Sequence, residues 1–145
     1  MTFFPTIRFW TLLVLFLSVV GSDAVAQTIR GPARVRDGDT IVVNRTPVRL
    51  NGLACPEMHE PGGWAAKKKM IFLTSRQFIS CELNGERTHD RKVGICTDQS
   101  GTDIAIKMVS AGLCRDCPRY SNGRYGKFET ALSKRLPFPR YCHGS

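Results

Sequence analysis

Val35-Arg36-Asp37-Gly38-Asp39-Thr40-Ile41-Val42-Val43 leads through Asn44-Arg45-Thr46 into Pro47-Val48-Arg49-Leu50-Asn51-Gly52-Leu53-Ala54-Cys55-Pro56-Glu57. This stretch sets the reading of the chain. Asp37-Gly38-Asp39 is a turn tripeptide, because Asp and Gly accept the tight backbone of a reversal. Thr40 to Val43 is β-branched and reads as a strand. Asn44-Arg45-Thr46 turns the chain again. Pro47 to Leu50 then alternates apolar with polar, as a half-buried strand does. Two short strands thus follow one another, with aspartates at the entrance and Arg49 on the return.

Outward from this hairpin the pattern continues. Upstream, Ile29 to Arg36 is another β-type run. Downstream, Pro61-Gly62-Gly63 punctuates, and Trp64 to Ser75 reads as a helix. Ala65, Ala66, Met70 and Leu73 lie toward one side of it, with Lys67, Lys68 and Lys69 wet. Phe78 to Leu83 and Lys92 to Thr97 are strand-like. Asp103 to Ala111 reads as a second helix closed by Gly112, and a weaker third runs from about Arg124 to Ser133. Three strands, a helix, two strands and then helices give an α+β, mainly β class. That order suits a small barrel with helices packed at its end. No repeat or linker divides residues 27–145, which are expected to form one domain.

The first residues read differently. Phe9 to Val20 is an apolar run of about a dozen residues, too short to span a bilayer and the right length for a signal-peptide core. Ala24-Val25-Ala26 supplies the small residues of a cleavage site. Residues 1–26 are therefore expected to be a signal peptide; the rival reading is an uncleaved N-terminal anchor. All six cysteines lie beyond it, which suggests a disulfide framework in an exported chain, periplasmic or secreted, with no membrane insertion after cleavage. The formal net charge is +9. Removing Arg8 and Asp23 with the leader leaves that unchanged. Such a field attracts polyanions: nucleic acid, anionic polysaccharide or lipid headgroups.

The paired segments from Val35 to Glu57 resemble the signature of the staphylococcal-nuclease (thermonuclease) family. Its marks are an aspartate turn leading into a strand, then an Arg-Leu strand ending in Pro-Glu. Asp90-Arg91-Lys92-Val93-Gly94-Ile95-Cys96 resembles the family segment in which an arginine opens the fifth strand. Gly112-Leu113 after an amphipathic helix also fits. The resemblance runs from roughly Arg34 to Ala131. It implies a five-stranded OB-fold barrel with about three helices. It also implies a monomeric endonuclease or phosphodiesterase that hydrolyses single-stranded DNA or RNA with calcium.

By position, the resemblance gives Arg49 and Arg91 the role of gripping the phosphate, for which the planar guanidinium fork is suited. Glu57 takes the place of the general base. Asp39 takes that of a direct calcium ligand, supported by Asp37. Thr40 follows the ligand and is placed to hydrogen-bond locally. The family's second metal aspartate is replaced by Ala54, which should weaken calcium binding, since affinity depends on carboxylate count. An aromatic-glycine pair before the family's arginine is replaced by His89-Asp90, and Asp90 is a candidate to turn a carboxylate toward the site. Tyr120 and Tyr125 lie among arginines and glycines, a pattern suited to stacking on bases; the alternative is packing on the barrel end. His59 and His89 read as solvated loop residues.

A hairpin with Thr88-His89 at its tip places Cys81 opposite Cys96, and that disulfide is expected. Cys55, Cys114, Cys117 and Cys142 then pair in one of three ways. Cys114-Arg115-Asp116-Cys117 also allows a redox pair or half a zinc site. The expected function is thus a nuclease-like phosphodiesterase. Its alternatives are a binding module for nucleic acid or an anionic surface polymer, and, less favoured, a thiol-active protein.

Overall fold

The computed structural model describes Met1 and residues 26–143. The expected leader, apart from its two end positions, lies outside the described residues. Strand β1 (Gln27–Val35) pairs antiparallel with β2 (Thr40–Val43), with Val35 opposite Ile41. All four residues of β2 are buried, which fits its continuous β-branched run. β2 pairs with β3 (Thr46–Leu50), and Leu53–Ala54 forms a short β4. Helix α1 (Gly63–Thr74) carries the chain to β5 (Phe78–Thr88), which turns into β6 (Arg91–Thr97). β6 runs parallel to β3, and β5 returns to β1, closing a five-stranded barrel in the order β1-β2-β3-β6-β5. The barrel is OB-fold-like, in an α+β, mainly β chain.

Ile41, Val43, Val48, Leu50, Ile79 and Leu83 fill the interior. Helix α2 (Ile104–Ser110) supplies Ile104, Met108 and Val109 to the same core. Each such side chain contributes about 1.5–3 kcal/mol when fully buried. Asp103 caps α2 by accepting from the Ala105 N–H at 2.9 Å. Beyond α2, Arg115–Asp116 forms β7 and pairs with β4.

The helices depart from expectation. Ala66 and Met70 are buried as expected, but Ala65 is exposed and Leu73 only half-buried, and Thr74 joins the buried face of α1. The single helix expected over Arg124–Ser133 is replaced by shorter pieces. These are a 3₁₀ turn at Gly126–Phe128 and α4 (Ala131–Arg135), preceded by a separate short helix, α3 (Pro118–Ser121). Asn122 and Gly123, both at positive φ, stop α3. Thr130 and Ser133 form a reciprocal capping box that starts α4 afresh. A last 3₁₀ turn spans Arg140–Cys142.

Cys81 and Cys96 are register partners and are bridged, as expected. The tip is one residue further on, at His89-Asp90, because Thr88 pairs with Arg91. An irregularity between Leu83 and Arg87 absorbs the difference. There the Asn84 side chain accepts from the Glu86 N–H at 3.0 Å around Gly85, whose φ is 86°. The other bridges are Cys55–Cys114 and Cys117–Cys142, with no free cysteine. Cys114 and Cys117 thus serve different partners, and the redox-pair and zinc readings are corrected. Three such bridges persist in oxidising, extracellular-type surroundings. Among the described residues no helix is long and apolar enough to cross a membrane.

Candidate active site

Asp39 is positioned by its own turn. Its backbone N–H donates to the Asp37 carboxylate at 3.1 Å, and the N–H groups of Arg36 and Asp37 donate to the Thr40 carbonyl at 3.0 and 3.3 Å. Gly38 lets this turn press against its neighbours. A Cβ there would lie 2.8 Å from the Cβ of Ala66 and 2.9 Å from that of Cys55. Asp39 is left 5% exposed and Thr40 fully buried.

Thr40 and Arg49 are register partners across β2 and β3, so the arginine emerges beside the turn. Arg49 Nη1 donates to Asp39 Oδ1 at 2.8 Å, and the Thr40 hydroxyl donates to the same oxygen at 3.0 Å. Arg91, the first residue of β6, donates from Nη1 to the Thr40 hydroxyl at 3.0 Å. Two guanidinium groups from different strands are thereby joined through Thr40 and Asp39. Burial lifts the Asp39 carboxyl to about 6, with Asp37 adding to the lift and Arg49 opposing it. Burial alone would lower the Arg49 guanidinium, but Asp39, Tyr141 and Asp37 raise it, and it stays charged.

Glu57 stands on the loop after β4, exposed to solvent. Its N–H donates to Glu60 Oε2 at 2.7 Å. Gly63 at the start of α1 touches this loop so closely that a Cβ there would lie 2.1 Å from the Glu57 carbonyl oxygen. Cys55, two residues earlier, is tied to Cys114. The loop is therefore held from both sides. Among the described residues no ion pair engages the Glu57 carboxylate.

A cavity of about 400 Å³ brings Arg49, Glu57 and Tyr120 together, with Arg87 and Tyr141 also in its wall. Asp39 and Arg91 lie outside the lining and reach the cavity through Arg49 and Thr40. Tyr120 is 45% exposed and available for stacking. Tyr125 is not. It is 1% exposed, and its hydroxyl donates to Asp103 at 3.0 Å, so its expected substrate role is replaced by packing beneath α2. Burial and the Asp103 charge push its hydroxyl above the ordinary tyrosine range. Asp90 is also corrected. It pairs with the Arg36 guanidinium at 2.7 Å, in solvent, rather than turning to the site. His59 and His89 are exposed on their loops, as expected.

Two contributors were missed from sequence: the bridging position of Thr40 between both arginines, and Tyr141. Tyr141 lines the cavity together with Arg49, and Cys142 beside it is bridged to Cys117. Burial raises the Tyr141 hydroxyl, with Arg49 acting in the opposite direction. The adjacent cysteine was the one available signal.

The donor set falls short of a calcium shell. Asp39 Oδ1 already accepts two hydrogen bonds, and Ala54 brings no side-chain oxygen. Among the described residues no group of three His, Cys, Asp or Glu is placed to hold a metal ion. Calcium takes six to eight oxygens.

No family model matches the chain. It is similar to a protein of Rhizobium meliloti (strain 1021) named succinoglycan biosynthesis protein ExoI, 29% identical over 124 residues. The match covers 77% of this chain and 65% of that protein, so the chain spans just under two thirds of its length.

Proposed function

We propose that the chain is an exported, nuclease-like phosphodiesterase acting on single-stranded DNA or RNA. The observation that supports this reading is the Arg91–Thr40–Asp39–Arg49 chain backing a cavity that also holds Glu57. Arg49 grips the phosphate from the cavity wall and, with Arg91 behind it through Thr40 and Asp39, offsets the negative charge that builds on the phosphate oxygens during attack. Glu57, free of ion pairs, takes a proton from water as the water oxygen bonds to phosphorus. The ester P–O bond breaks, and the departing oxygen takes a proton from solvent. Tyr120 offers a face for a base beside the phosphate. The net charge of +9 draws the strand in.

A second reading is a non-hydrolytic module that binds nucleic acid or an anionic polysaccharide. Ala54 in place of a carboxylate favours it, and so does the naming of the similar protein for succinoglycan biosynthesis. The deciding experiment is cleavage of single-stranded DNA by the purified protein, with calcium and with chelator, beside Glu57→Gln. Cleavage lost in the variant supports the enzyme. Salt-sensitive binding without cleavage under any condition overturns it in favour of the module.

A further inference from the structure

Helix α1 is apolar on two opposite faces. One face, Ala66, Met70 and Thr74, is buried on the barrel. At about 100° per residue, Trp64, Lys68, Ile71 and Phe72 share a stripe on the other side. Trp64 is 62% exposed, Ile71 46% and Phe72 72%. Lys67 and Lys69 border this stripe on either flank. The Lys67 Nζ stands 5.5 Å from the Trp64 ring centroid and the Lys69 Nζ 5.2 Å from that of Phe72. Just past the helix, Phe78 is 52% exposed, with Arg30 5.9 Å over its ring. From Pro61 to Cys81 the chain has no acidic residue.

We infer that this face of α1 docks on an anionic lipid surface. The stripe is convex and includes an aliphatic side chain between the aromatics, so it fits the plane of a bilayer interface better than a sugar ring, which needs a flat aromatic platform. Lysines flanking the stripe can keep their stems along the apolar surface while the ammonium groups meet lipid phosphates. The unbroken absence of carboxylates over this segment removes repulsion from that surface. Trp and Phe at headgroup depth are the side chains such an interface favours.

The test uses the whole chain carrying Trp10→Phe, which leaves Trp64 as the single tryptophan. It is mixed with vesicles of phosphatidylglycerol and phosphatidylcholine, or of phosphatidylcholine alone. With the anionic vesicles, Trp64 emission should shift to the blue and be quenched by brominated lipid. Ile71→Ser with Phe72→Ser should weaken co-sedimentation about ten-fold. Lys67→Gln, Lys68→Gln and Lys69→Gln together should abolish the preference for anionic vesicles. The substituted side chains are exposed or half-buried, and unchanged near-ultraviolet circular dichroism confirms the fold in each variant. Three results overturn the inference: an unquenched Trp64, co-sedimentation indifferent to the serine pair, or retention on an anionic polysaccharide with no vesicle binding.

Discussion

Arg91 and Thr40 stand 51 positions apart, and the arginine's Nη1 donates to the threonine hydroxyl at 3.0 Å. That hydroxyl in turn donates to Asp39. Thr40 thus sets the distance between the two cations. Thr40→Val keeps the buried volume and removes the hydroxyl. It should lower kcat/KM about ten-fold, the equivalent of one lost hydrogen bond to a charged group. Thr40→Ser should retain most of the activity. Equal losses in both variants would show that the methyl group, not the hydroxyl, is what matters.

Asp39 carries a pH signature of definite sign. Its carboxyl is raised by burial from 3.8 to about 6. A raised value in the folded state means that the fold favours the protonated acid. That stabilisation is fully present below about pH 4 and is lost as pH rises through about 6, a span worth roughly 3 kcal/mol at most. Asp39→Asn has no proton to lose. The melting temperature of the native chain, relative to that variant, should therefore fall between about pH 4 and pH 7. A flat difference would mean that Arg49 keeps the acid ionised throughout.

Ala54 is 3% exposed and sits in β4 opposite Arg115. Ala54→Asp buries a carboxylate and should cost several kcal/mol without a cation. Calcium should recover that loss if the substituted side chain completes a site with Asp39. The check is a thermal melt of each protein with calcium and with chelator. A calcium-dependent rise in the variant, larger than in the native chain, is expected. No rise in the variant would separate this cavity from calcium altogether.

Tyr141 depends on a covalent tether. Cys117→Ser with Cys142→Ser opens a 25-residue loop and should cost about 3 kcal/mol in stability. The freed tail should raise KM several-fold with a smaller change in kcat, because Tyr141 then leaves the cavity wall. Tyr141→Phe keeps the ring in the cavity wall and removes only the hydroxyl. If steady-state kinetics show the double serine variant with an unaltered KM, the tail has no part in holding substrate.

The hairpin from Asp37 to Leu50 was legible because its signals are local: turn residues, β-branched runs and alternation. Its pairing then placed Thr40 beside Arg49 without further information. The Cys81–Cys96 bridge was also legible, although the tip was off by one residue, since the irregularity at Asn84–Glu86 leaves no mark in a period-two pattern. Tyr125 misled because interleaved arginines say nothing about which tyrosine faces inward. Its partner, Asp103, is 22 residues away. Tyr141 was beyond reach for a related reason: its place follows from Cys117–Cys142, and four cysteines offer three pairings with no local feature to choose among them.

The Cys55–Cys114 bridge spans 59 residues and fastens the segment just ahead of Glu57 to the end of α2. A chain in a reducing cytosol has no such fastening, and its Glu57 loop is held only by Glu60 and by its contact with Gly63. Oxidation therefore sets how firmly the Glu57 loop is anchored to the helical end of the barrel.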